Sequence, residues 1–216
     1  MNAAAAEALT ADPIAPGRAS PKTLDAWANM DEDEPGEFVD GNVVEEEVPS
    51  YLHESVVSWL VRTLGIWGAP RGCPVFGSEA KLRVMRGRGR KADVCMFASG
   101  TRFRGQDAIS RKPPMLIVEV VSRSPRDVKR DRLEKRHEYA RFGVKHYWLV
   151  DPDARVFEFL SLDADGRWVD AGAASDGKVE VAGFDGLVLD LDQLWAEVDM
   201  ILEPAEEDEI IENDDM

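Results

Sequence analysis

The stretch that most constrains this chain runs from Pro113 to Pro152. It opens on the apolar run Met115-Leu-Ile-Val-Glu-Val-Val121 and passes through a charged segment ending Asp131-Arg-Leu-Glu-Lys135-Arg-His-Glu-Tyr139. It closes on Gly143-Val-Lys-His-Tyr-Trp-Leu-Val-Asp-Pro152. Two buried strands joined by a helical crossover lie parallel in one sheet, so Leu116–Val121 and His146–Val150 are predicted to be parallel neighbours. A carboxylate inside such a strand is costly to bury unless it is paired or binds a metal. Glu119 is therefore the first candidate for chemistry.

The rest of the sequence builds one domain around that unit. Its 216 residues, 44% hydrophobic and 31% charged, suit a single globular core. No run approaches the ~20 apolar residues that cross a bilayer, and the start lacks the basic and apolar regions of a secretory signal. Cys73 and Cys95 have no metal-ligand spacing and are expected to be reduced thiols of a cytoplasmic protein, although a disulfide between them is open. Residues 1–19 read as a disordered leader, 20–202 as the domain and 203–216 as an acidic disordered tail.

In chain order, Ser20-Pro21 is expected to open a short helix with Leu24, Trp27 and Met30 on its apolar side. Glu37–Val48 reads as a hairpin turning at Asp40-Gly41. Ser50 can cap a helix carrying Leu52, Val56, Leu60 and Leu64, with His53 in its first turn. Strands follow near Val75, at 80–85 and at 92–97, and Arg86-Gly-Arg-Gly-Arg-Lys91 reads as a turn between the last two. Beyond the crossover, 155–160, 168–171 and 178–181 read as meander strands before a helix near 191–202. The order predicts an α/β (α+β) domain with a central mixed sheet flanked by helices.

The net charge of −16 argues against a polyanionic partner until its distribution is seen. Residues 71–145 hold 20 Lys and Arg against 8 Asp and Glu, whereas the remainder holds 6 against 34. Fields are screened beyond ~8–10 Å, so the local balance decides. A basic middle suits a phosphate-bearing partner, and it equally suits an intramolecular contact with the acidic tail.

Asp93 begins the apolar strand that precedes Glu119. Two carboxylates from adjacent strands on one side make an oxygen site suited to Mg²⁺, or else they are solvent-facing or salt-bridged to the many arginines. On a helix over 127–142, Val128, Asp131, Lys135, Tyr139 and Phe142 share one face. Lys135 sits in the middle of that face, either beside a carboxylate or paired within the helix to Asp131.

Taken together, Glu37-x-x-Asp40-Gly41, His53, Asp93-Val, Val118-Glu119-Val-x-Ser122, Asp131-x-x-x-Lys135-x-x-x-Tyr139 and Gly143-Val-x-x-Tyr147-Trp148-Leu-Val-Asp151-Pro152 resemble the Uma-two family of putative restriction endonucleases. The resemblance spans roughly residues 20–195. It implies the PD-(D/E)XK restriction-endonuclease-like fold and a metal-dependent phosphodiester hydrolase, an endonuclease acting on nucleic acid and on DNA first. It implies Asp93, Glu119 and the Val120 carbonyl as ligands of Mg²⁺ or Mn²⁺, with Lys135 orienting the attacking water or stabilising charge on the phosphorane. Glu37 would be an accessory carboxylate and His53 a substrate or water contact. Two positions depart from the pattern: Ala92 stands for the proline before the aspartate, and Val121 for the lysine two residues after the glutamate. In the family the lysine comes instead from the following helix, where Lys135 stands.

Arg86, Arg88, Arg90 and Lys91 on the glycine-containing turn, and Arg123, Arg126, Lys129 and Arg130 past the acidic strand, are candidate phosphate contacts or an ordinary solvated charge run. The departure at Val121 keeps a catalytically silent binding or regulatory module as the alternative. No membrane partner is expected, and a homodimer is compatible with the sequence.

Overall fold

A computed structural model describes residues 23–30, 36–44, 48–121 and 130–202, the side chains of 130–132 excepted. The expected leader, the Ser20-Pro21 helix start and the acidic tail lie outside these residues. Helix α1, Leu24–Ala28, is capped by Thr23, whose hydroxyl accepts from the Ala26 N–H at 3.1 Å. Strands β1 (Glu37–Val39) and β2 (Asn42–Val44) form the expected hairpin. Asp40 and Gly41, with φ of 47° and 93°, supply the two left-handed residues that a type I′ turn requires.

Ser50 caps helix α2, Tyr51–Gly68, by accepting from the His53 N–H at 3.2 Å. Then come β3 (Val75–Phe76), β4 (Lys81–Met85), β5 (Arg88–Lys91), β6 (Val94–Met96) and β7 (Leu116–Val120). A π-helical turn, Arg130–Lys135, leads into α3, Arg136–Phe142. Strands β8 (His146–Asp151), β9 (Val156–Leu162), β10 (Trp168–Ala174), β11 (Lys178–Glu180) and β12 (Val188–Asp190) precede α4, Leu191–Ile201.

The central sheet runs β10-β9-β8-β7-β6-β3. It is mixed as expected: β7 and β8 are parallel, with Glu119 opposite Leu149, and the other neighbours are antiparallel. Both faces of β7 are covered, which explains an apolar run that only Glu119 interrupts. Leu116, Val118 and Val120 pack with Leu60 of α2 and with Leu194 and Trp195 of α4. Ile117 and Val121 point the other way, into a layer with Leu82 and Val84 of β4 and Tyr139 of α3. Glu119 shares that second direction by the two-residue period of a strand. Both cysteines are buried and free, and no described helix is long and apolar enough to cross a membrane.

One expectation is corrected. Arg86 and Gly87 alone make the turn; Arg88–Lys91 is strand β5, held between β1 and β4 in a second sheet of order β2-β1-β5-β4. Gly89 is there for packing and not for bending. A Cβ at that position would stand 2.4 Å from the Trp27 ring and 2.7 Å from Leu24, so α1 rests directly on the glycine backbone. Gly89→Ala is therefore expected to cost about 1–3 kcal/mol through overpacking. Urea unfolding of Gly89→Ala should show this loss, and the loss should shrink when Trp27→Ala is also present.

Candidate active site

The glutamate of β7 and the lysine before α3 meet. Lys135 Nζ donates to Glu119 Oε2 at 3.0 Å, and both residues are only 2% exposed. The Tyr139 hydroxyl donates to the other oxygen, Oε1, at 2.6 Å. Lys135 and Tyr139 lie four residues apart and so project from one side of the helix. Lys135 closes the wide π turn, a feature that often marks functional positions in helices. Asp131, the alternative partner for Lys135, has its side chain outside the described residues.

Burial, followed by the charge of Glu119, pushes the Tyr139 phenol well above its ordinary pKa, so it stays a donor. Burial and the same carboxylate push the Cys95 thiol up to about 12, which leaves it inert.

Glu37 reaches the same cluster from the second sheet. Its Oε1 lies 3.5 Å from Lys135 Nζ and accepts from the Lys91 N–H at 3.1 Å, while Oε2 accepts from Arg90 Nη1 at 2.6 Å. Arg90 is fully buried and grips Glu138 with two further bonds, Nε to Oε2 at 2.7 Å and Nη2 to Oε1 at 2.8 Å. Burial opposes the guanidinium charge, but Glu37 and Glu138 outweigh it and hold the Arg90 pKa well above its usual value. The planar fork of arginine suits this bidentate duty, which a lysine cannot perform.

Asp93 stands at a bend just before β6, one residue beyond the last β6–β7 pair, Val94 with Val118. Its Oδ2 accepts from the Val120 N–H at 2.7 Å and lies 3.4 Å from His53 Nε2. Its side chain is 20% exposed, which makes this the open side of the cluster. Among the described residues His53 Nδ1 is buried without a hydrogen-bond partner, Glu54 Oε1 at 3.5 Å being too poorly placed to bond. Burial lowers the His53 pKa, but the hydrogen bond and charge of Asp93, helped by Glu54, raise it more, so the net shift is upward from 6.5.

The structure thus brings Glu119, Lys135 and Glu37 into one buried cluster, with Asp93 and His53 paired beside it. The expected basic contacts fare differently. Arg90 is enclosed, and Lys91 is buried with its ammonium 2.9 Å from Glu79, so neither lies on an exposed turn. The cause is the strand path of 88–91, which lies between β1 and β4 and buries Gly89, Arg90 and Lys91 in succession. Arg88 is partly exposed and bonds Asp40 at 2.8 Å, and Arg86 is exposed on the turn. Arg123, Arg126 and Lys129, and the Arg130 side chain, lie outside the described residues.

Three participants escape the sequence reading: Tyr139 as a hydrogen-bond donor, Arg90 as a buried cation and Glu138 as its partner. The alternation Arg88-Gly89-Arg90 is the signal that could have placed Arg90 on a strand. Tyr139 and Glu138 carry no comparable mark.

Asp93 and Glu119 are hard oxygen donors, and Asp93 is tied to the strand of Glu119 through the Val120 N–H. That donor chemistry fits Mg²⁺ or Mn²⁺, which take few protein carboxylates and fill the remaining positions with water and substrate oxygens. Among the described residues no group of three or more His, Cys, Asp or Glu side chains is placed to hold a metal ion.

A family model described as "Putative restriction endonuclease", that of the Uma2 family, matches residues 21–192, and the chain belongs to that family. A search among curated proteins finds no match. The crystal structure of a protein described as a putative nuclease from Anabaena variabilis superposes with a TM-score of 0.65 at 21% identity, covering 82% of this chain and 99% of that one. At that identity the likeness establishes the fold.

Two outcomes follow from the geometry. Arg90→Met removes the guanidinium that buried Glu37 and Glu138 share, leaving them the more distant Lys135 and Arg88, and is expected to cost about 3–5 kcal/mol in urea unfolding, with Arg90→Lys recovering only part. In metal-free buffer, NMR titration should place the His53 pKa above 6.5, and Asp93→Asn should lower it. Because the folded value exceeds the unfolded one, the pair's contribution to stability is full below about 6.5 and is lost as pH rises through the folded value.

Proposed function

We propose that this protein is a divalent-metal-dependent nuclease that hydrolyses phosphodiester bonds of nucleic acid, with DNA as the favoured substrate. The observation that carries the reading is Lys135, buried on Glu119 at 3.0 Å in the cluster that Asp93 flanks. An ammonium in that place supplies what the strand lacks at Val121. Membership of a family described as putative restriction endonucleases supports the same chemistry.

Asp93, Glu119 and the Val120 carbonyl would hold Mg²⁺ or Mn²⁺. When bound, the ion polarises the scissile phosphate and lowers the pKa of a water. Lys135, which lies between Glu119 and Glu37, would stabilise the charge that builds on the phosphate oxygens. Glu37 acts as a positioning residue for Lys135 and is itself locked by Arg90. His53 steadies Asp93 through Nε2.

Arg86 and the segment 123–130 are the remaining candidates for phosphate contact. They would set the register of a nucleic acid without reading its sequence.

Incubation with plasmid, single-stranded DNA and RNA in Mg²⁺ or Mn²⁺ tests the reading. Asp93→Ala and Lys135→Ala are each expected to lower cleavage by about 10²-fold or more. Equal cleavage by wild type and both variants would overturn the assignment. Asp93-dependent binding of Mn²⁺ and DNA with no cleavage would instead favour a silent binding module.

A further inference from the structure

Tyr139 has no catalytic role in the scheme above, yet its hydroxyl is one of the shortest contacts in the cluster. The ring is fully buried and packs edge-on against Tyr147, with centroids 5.4 Å apart. Packing alone does not require a hydroxyl there, since phenylalanine would fill the same wall. A buried phenol is costly unless bonded, and this one bonds the Glu119 carboxylate at 2.6 Å.

The terminal torsion of a glutamate is soft, so one donor leaves the carboxylate plane free to swing. Lys135 holds Oε2 and Tyr139 holds Oε1, and together they fix that plane. The tyrosine is suited to this duty because it adds no charge. A second cation here would compete with a metal for the glutamate, whereas a neutral donor orients the carboxylate and leaves its charge in place.

We propose that Tyr139 is a positioning residue for Glu119, its hydroxyl setting the carboxylate plane for the divalent ion. The proposal rests on the reading of Asp93 and Glu119 as metal ligands.

Calorimetric titration of the full chain with Mn²⁺ separates the two. Wild type should bind in an Asp93-dependent way, and Tyr139→Phe should bind about 10- to 100-fold more weakly, as for other groups that orient a metal ligand. A purely structural tyrosine would shift the melting temperature and leave Mn²⁺ affinity unchanged, and that result overturns the proposal. Should Tyr139→Phe fail to fold, two analogues at position 139 decide the matter. p-Aminophenylalanine keeps a donor and should bind Mn²⁺ like wild type, whereas p-fluorophenylalanine fills the space without a donor and should not. Equal binding by both analogues overturns the proposal. Absence of Asp93-dependent Mn²⁺ binding in wild type overturns the metal-site reading and this proposal with it.

Discussion

The structure depends on one buried ammonium. Lys135 lies between the glutamate of the central sheet and the glutamate of the hairpin sheet, at 3.0 Å from one and 3.5 Å from the other. Neither carboxylate tolerates the interior alone, because an unpaired buried charge costs several kcal/mol. The ammonium therefore ties the two sheets together where their apolar surfaces end. The crossover helix must enter at the angle that delivers it, and the wide turn at Arg130–Lys135 lies at that entry.

Arg90 repeats this logic one step further from the opening. It joins β5 to β1 through Glu37 and to α3 through Glu138, and it gives up all contact with solvent to do so. Burying a guanidinium rather than an apolar side chain gains little stability in general. Its effect here is directional, because a planar fork with two fixed carboxylates admits one arrangement of strand, hairpin and helix. The layer around it stays apolar through Leu82, Val84 and Val121, which keeps these ion pairs out of water.

Much of this was legible in the sequence, for reasons that differ by residue. Glu119 was visible because a single charge interrupts an apolar strand, and Lys135 because helical spacing puts it on a face with valine, tyrosine and phenylalanine. The hairpin turn was visible because Asp-Gly demands left-handed backbone. Arg90 was misplaced because glycine-rich basic runs resemble turns, and only the strand pairing, Phe38 opposite Gly89, reveals that the glycine makes room for Trp27. Pairings of that kind are set by register across distant segments and leave no local mark. The same holds for the contact of His53 with Asp93. Tyr139 was visible as packing and invisible as a donor, since an apolar face gives no hint of what a phenol oxygen touches.

The wide separation of the partners along the chain has a consequence for how the protein comes to possess its site. Arg90 joins residues 53 positions before it and 48 positions after it. Long-range closures of this kind form late, because the loops between them must be ordered first. A chain emerging during synthesis holds the hairpin and β5 well before the crossover helix exists, and so lacks Lys135 throughout that interval. The cluster is therefore completed only when the crossover helix docks, and a half-made molecule can pair Glu37 with Arg90 but lacks the Lys135 ammonium that joins it to Glu119.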